Sequence, residues 1–188
     1  MAQSMLLHAC CGPCACYSTK RIMEEGINPT LFFYNPNIHP YQEFLLRREG
    51  LRQLAAIRNL PLIEAPGYPM EEFLAHVAAD PTKRCEYCYR SRLTQTALKA
   101  KELGLSLFGT TLLISPYQNH ERLVEIGQEL AREHGLEFYD GDLRPGFRES
   151  QAMAKEYGLY RQKYCGCIYS EKERYYKEKL TSISENRA

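Results

Sequence analysis

A chain of 188 residues is long enough to close one continuous apolar core, so it does not need disulfides for stability. Its net charge of +1 excludes a broadly polycationic nucleic-acid binder, and no stretch approaches the ~20 apolar residues of a membrane-spanning helix. The opening MAQSMLLHACCGPC has neither the basic region nor the long apolar run of a secretory leader, which predicts a cytoplasmic protein whose bunched thiols serve metals or redox chemistry.

Short apolar runs alternate with longer amphipathic stretches, the pattern of an α/β domain with a mainly parallel sheet and helices on both faces. The first strand is predicted over 5–9 and runs into Cys10, Cys11, Cys14 and Cys16. Gly12-Pro13 makes a turn, and Pro suits the first turn of a helix over about 14–25. Cys11 and Cys14 then sit near the positive end of that helix, which is expected to lower their thiol pKa values. His8, inside the strand, reads as a packed side chain. A second strand over 30–34 leads into Asn35-Pro36-Asn37, ordinary turn chemistry. The helix predicted over 41–59 aligns Phe44, Leu51, Leu54 and Ala55 on one stripe, and a third strand follows over 62–65. Asp80-Pro81-Thr82 introduces a helix that opens with Cys85 and Cys88. After a fourth strand over 106–110, a helix over 121–134 aligns Leu123, Gly127, Leu130, Ala131 and His134, and a fifth strand covers 137–139. Glycines at 26, 104 and 135 stand where helices should stop. Residues 1–188 read as a single α/β domain, with 144–188 a helical C-terminal extension that carries Cys165 and Cys167.

The extension is the basic part of the chain: residues 144–179 hold nine Lys/Arg against five Asp/Glu, and 139–176 hold seven of the fourteen tyrosines. Tyr interleaved with Lys and Arg can stack on bases while its neighbours hold phosphates. A solvated helical end with core tyrosines has the same composition, and both readings stay open.

The chemistry lies in the eight cysteines. Cysteines used only as small buried hydrophobes have no reason to bunch. Cys85 and Cys88, at i and i+3, share one helical face, a spacing common to zinc sites, iron-sulfur sites and redox pairs. A structural zinc site would use four cysteines and leave four unexplained. Cys165-Gly166-Cys167 can bind neighbouring metals or close a small, reducible disulfide, and Arg161-Gln162-Lys163-Tyr164 beside it predicts an exposed loop. Ligands of such sheets bind at the carboxyl ends of the strands, where the first cysteine group falls. Candidate substrate contacts at that edge are Asn35, Asn37 and His39 after the second strand and Thr110, Thr111, Ser115, Tyr117 and Gln118 after the fourth, with Arg161 beside the last cysteine pair. Neither GxxxxGK[ST] nor GxGxxG nor SGGxDS is present, which removes support for ATP-driven thiolation of tRNA.

Five separated segments, HACCGPCACYS at 8–18, FYNPNIHP at 33–40, RCEYCYRSRL at 84–93, TTLLISPYQ at 110–118 and YRQKYCGCIYS at 160–170, closely resemble the QueH family of cobalamin-independent epoxyqueuosine reductases. The resemblance covers nearly the whole chain. It implies a Rossmann-like fold similar to the adenine nucleotide alpha-hydrolases and the last step of queuosine biosynthesis, a two-electron, two-proton reduction of epoxyqueuosine at the wobble position of tRNA. It implies Cys10, Cys11, Cys85 and Cys88 as ligands of a 4Fe-4S cluster, and Cys165 and Cys167 as a redox-active pair or further metal ligands. An additional iron beside the cluster would draw on Cys14, a position that can carry Asp in the family. Tyr164 and Lys163 are candidates to protonate the leaving oxygen, and Cys16 has the least support. The partners implied are tRNA carrying epoxyqueuosine and an electron donor. Two other classes of function compete: a zinc-stabilised RNA-binding module without catalysis, and an iron-sulfur disulfide reductase.

Overall fold

Alternation along the first strand sets the architecture. Leu6 faces one side of the sheet and Met5 and Leu7 the other, and all three are fully buried, as a parallel sheet covered on both faces requires. The computed structural model describes residues 3–177. Its strands are β1 (Gln3–His8), β2 (Ile27–Phe33), β3 (Leu62–Glu64), β4 (Leu107–Thr110) and β5 (Glu137–Phe138). They form one all-parallel sheet in the order β3-β2-β1-β4-β5. All five expected strands are present, with ends displaced by at most three residues.

The helices are α1 (Gly12–Glu24), α2 (Tyr41–Arg58), α3 (Met70–Val77), α4 (Arg84–Glu102), α5 (His120–His134), α6 (Phe147–Glu156) and α7 (Ile168–Tyr175). Leu93, Ala97 and Ala100 of α4 and Leu123, Ile126 and Leu130 of α5 pack with Leu6, Phe32 and Phe108 on one face. On the other, Ile22 of α1, Phe44, Leu51 and Leu54 of α2 and Ala154 of α6 pack with Met5, Leu7, Leu31 and Phe33. Among the described residues no helix is long and apolar enough to cross a membrane.

The extension resolves into α6, α7 and the loop between them, while residues 178–188 lie outside the described residues. Helix α6 is built into the body against α1: the buried Ser150 hydroxyl donates to the Pro13 carbonyl at 2.6 Å and accepts from the Tyr17 amide at 2.9 Å. Helix α7 buries none of its residues. Arg84, at the start of α4, holds it through an ion pair with Glu173 and by lying over the Tyr169 ring at 5.8 Å.

Strand order reverses between β1 and β4, so the loops leaving them diverge and open a crevice at their carboxyl ends. Both loops carry residues singled out above, Cys10 and Cys11 after β1 and Thr111 to Gln118 after β4.

Candidate metal centre

At the end of β1 the chain stays extended through Cys11, the residue capping α1, and turns into the helix at Gly12-Pro13. The sulfurs of Cys10, Cys11 and Cys14 all lie within 4.8 Å of one another, and those of Cys10 and Cys11 are 3.6 Å apart. All three residues are buried. Gly12 makes this possible by close approach, because a Cβ there would stand 2.6 Å from the Gly50 carbonyl oxygen of α2. Thr111 ties the β4 loop to the trio, its hydroxyl accepting from the Cys10 amide at 3.4 Å and facing the Cys10 sulfur at 3.9 Å.

Hydrogen bonds from the Cys11 and Cys14 thiols hold Cys10 well below the usual thiol pKa. Burial, joined by its hydrogen bond to Cys10, raises Cys11, while the bonds to Cys10 and Cys11 and then burial raise Cys14. The expected lowering of Cys11 and Cys14 by the helix end is therefore reversed: enclosure and an adjacent thiolate outweigh a dipole effect of ~1 kcal/mol. One thiolate shared by two thiols is a soft donor set ready to exchange protons for a thiophilic metal. His8 lies behind it, bonded to the Thr110 hydroxyl at 2.9 Å and to Asn35 Oδ1 at 3.2 Å; burial lowers its pKa to about 4, so it is a neutral packed side chain, as read from the strand.

The other cysteines approach from the α4 start and the C-terminal loop. Cys88 is buried and its thiol is pushed up to about 12 by burial, while Cys85 is exposed and raised by partial burial. Cys167 packs beside Cys88 with Phe73 and Val77, and its sulfur accepts from the Ser170 amide at 3.4 Å to cap α7. Cys88 and Cys167 thus meet in one apolar cluster, while Cys165 lines a cavity with Cys10 and Cys14. Among the described residues Cys10, Cys11 and Cys14 are the one group of three or more potential ligands whose donor atoms all lie within 4.8 Å of one another.

Arg47 of α2 fastens the C-terminal loop. It is fully buried, pairs with Glu43 at 2.8 Å, and donates to the carbonyls of Cys165 at 2.7 Å and Tyr164 at 2.9 Å. Gly166 between the cysteines has φ +145°, a backbone that L side chains rarely adopt, and a Cβ there would crowd Arg47 Nη1 at 3.2 Å. Cys165 is exposed and its sulfur accepts from Gln118 Nε2 at 3.2 Å; Gln118 is oriented in turn by the Tyr89 hydroxyl at 2.8 Å.

These loops enclose a cavity of about 490 Å³ lined by Cys10, Cys14 and Cys165 together with Arg47, Ser115, Gln118, Gln151, Gln162, Lys163 and Tyr164. Ser115 and Gln118 thus stand at the cavity. Asn35 and Asn37 do not line it: both are 2 % exposed, and Asn35 spends its amide on the Ala9 carbonyl at 3.0 Å and its oxygen on His8. Arg161 is exposed and outside the lining. The Tyr164 hydroxyl donates to the His39 carbonyl, and burial pushes its pKa up to about 12, whereas Lys163 is exposed at the rim. Cys16 faces the apolar layer with Ala15 and Ile22, its thiol pushed up to about 11 by burial.

Sequence reasoning missed Gln151, Gln162, Arg47 and Arg92. The Gln162 Oε1 is buried without a partner, and its Nε2 reaches the Cys14 sulfur at 3.6 Å. For both arginines a signal existed. Arg47 lies three residues after Phe44 and four before Leu51, and Arg92 lies four after Cys88, so each puts a charge on the buried stripe of its helix.

A family profile described as "Epoxyqueuosine reductase QueH" matches residues 5–173. The chain belongs to the QueH family. A QueH from Dehalococcoides mccartyi is 43% identical over 93% of this chain and 96% of its own length. One from Thermotoga maritima is 34% identical over 98% of this chain and 97% of its own. One from Helicobacter pylori is 39% identical over 89% of this chain but 49% of its own, so this chain spans about half of that relative. All three are named epoxyqueuosine reductase. Among solved structures, a predicted subunit of tRNA methyltransferase from Methanocaldococcus jannaschii is similar at TM-score 0.49 and 14% identity, over 82% of this chain and 89% of that one.

Proposed function

We propose that this chain is an oxidoreductase that converts epoxyqueuosine to queuosine at the wobble position of tRNA. The observation that carries the reading is the trio of convergent buried sulfurs at the β1/β4 crevice, opening onto a cavity that also holds Cys165. The donor chemistry fits an iron-sulfur group: Cys10, Cys11, Cys85 and Cys88 would hold a 4Fe-4S cluster, and Cys14, which lies inside the trio, would hold an additional iron. Such a group, when bound, would pass electrons on one at a time and offer a Lewis acid for the epoxide oxygen.

The rest belongs to the chain's own residues. The reaction breaks the epoxide C–O bonds, takes up two electrons and two protons, and leaves an alkene and water. Oxidation of the Cys165 and Cys167 thiols to one disulfide releases two electrons and two protons, which balances it. In this reading Cys165 faces the substrate and Cys167, packed beside Cys88, is its partner. Lys163 at the rim delivers a proton to the leaving oxygen, because the Tyr164 hydroxyl is committed to the His39 carbonyl. The amides of Gln118, Gln151 and Gln162 offer neutral hydrogen bonds to the modified base without adding a charge beside the thiolates. At the mouth Tyr117 is 83 % exposed, beside Lys163 and Arg174, which suits stacking on an anticodon-loop base and contact with its phosphates. An external donor then returns the thiols to the reduced state.

Anaerobically reconstituted protein, given a chemical reductant, should convert epoxyqueuosine-tRNA to queuosine-tRNA, read by mass spectrometry of the nucleosides. A folded, iron-loaded sample that leaves the modified base untouched refutes the reading. Zinc held in colourless protein purified without oxygen would favour the RNA-binding module instead.

A further inference from the structure

Arg92 of α4 is 2 % exposed and one helical turn beyond Cys88. Its Nε donates to the Cys88 carbonyl at 3.0 Å and its Nη2 to the Cys88 sulfur at 2.9 Å. Among the described residues no carboxylate lies within 4.0 Å of it, whereas the other fully buried arginine, Arg47, is paired with Glu43. A guanidinium stays protonated in a protein, and a buried charge with no counter-charge is strongly unfavourable. Its contact is the Cys88 sulfur, a thiol that becomes an anionic partner only as a metal ligand, and the Cys10 and Cys165 sulfurs act on it at longer range. Cys88 packs beside Cys167, and Cys165 lines the same cavity as Cys10 and Cys14, so this acid-free cation stands beside the sulfurs of the candidate centre.

We propose that Arg92 is the built-in counter-charge of the metal centre, a positioning residue that stabilises the bound thiolates and raises the reduction potential of the group they hold. This rests on the iron-sulfur reading above and is independent of the tRNA substrate. An added electron makes a thiolate-ligated centre more negative, and a fixed positive charge in a low-dielectric surround favours that state. A hydrogen bond to a ligating sulfur acts in the same direction. Arg47 also faces Cys10 and Cys11, but Glu43 offsets its charge, which leaves Arg92 as the larger unbalanced term.

The test uses the anaerobically reconstituted protein with Arg92→Met, which removes the charge at similar length, and Arg92→Lys, which keeps it without the planar fork. Iron and labile sulfide are measured, and the midpoint potential is followed by electron paramagnetic resonance during a redox titration. Arg92→Met should make reduction at least tenfold less favourable, a fall of about 59 mV for a one-electron couple, and Arg92→Lys should recover more than half of it. The iron-free Arg92→Met protein should melt no lower than the iron-free parent, since a buried charge with little compensation is lost. A parent-like potential in Arg92→Met overturns the proposal. If Arg92→Met takes up no iron, retention by Arg92→Lys supports it, while loss from both in folded protein overturns it and assigns Arg92 a packing role. A parent chain that takes up no iron overturns the metal-centre reading along with it.

Discussion

Cys14 and Cys16 differ by two positions on α1 and by roughly 200° around its axis, which separates two identical side chains completely. Cys14 turns to Cys10 and Cys11, and Cys16 turns to the apolar layer under α2. Cys14→Ser should therefore lower the iron bound per chain, whereas Cys16→Ala should keep iron and turnover and lose only ~1 kcal/mol of stability for the small volume removed. Iron assay and chemical denaturation check both, and loss of iron in Cys16→Ala would be inconsistent with this geometry. The sequence had already ranked Cys16 lowest among the eight. It could not rank Cys14 above Cys85 and Cys88 in closeness to Cys10, because that order depends on contacts between distant segments. Asn35 keeps the turn position read from the sequence, and its polar atoms serve the Ala9 carbonyl and His8.

At the scale of elements, α2 does more than cover the sheet. Its Glu43 and Arg47 form a buried i,i+4 pair that grips the C-terminal loop: Arg47 takes the carbonyls of Tyr164 and Cys165, and Glu43 accepts from the Tyr160 hydroxyl at 2.5 Å. Breaking a buried pair from one side strands the other charge at a cost of about 3–5 kcal/mol. Glu43→Gln and Arg47→Met should each destabilise on that scale, and the double variant by clearly less than their sum, measured by urea unfolding in a double-mutant cycle. Strict additivity would show that the two side chains act separately. The long helices were legible because Phe44, Leu51 and Leu54 or Leu123 and Leu130 mark an apolar stripe. Helix α3 is 8 residues long and buries one i,i+4 pair, Phe73 and Val77, and the 10-residue α6 turns Ser150 and Ala154 inward, so each stripe is too short to stand out in the sequence.

Across the whole molecule, two apolar layers on opposite faces of the sheet carry the fold, and the sulfurs sit at its carboxyl edge. The chain should stay folded without metal, unlike a small zinc module whose binding energy is its folding energy. Iron-free protein should keep its far-UV circular dichroism and a cooperative thermal transition. Unfolding on chelation would instead fit the zinc-stabilised alternative. Loss of iron should be felt at the loop carrying Cys165 and Cys167, which the body holds through Arg47 and through His39, whose amide donates to the Gly166 carbonyl at 2.8 Å.

The sequence by itself determined the three cysteine groups, the five strands and the order in which loops follow them, since each depends on neighbours a few residues apart. Spacing likewise placed Cys85 and Cys88 on one helical face. Only the tertiary structure decided which sulfurs meet, which polar loop residues reach the cavity, and that a buried arginine with no acid beside it among the described residues bonds the Cys88 sulfur. Those relations join segments as far apart as Cys10 and Thr111 or Arg47 and Cys165, and they are fixed by strand register and by what each helix buries. A single chain read in order contains the charges on the buried stripes but not what stands opposite them.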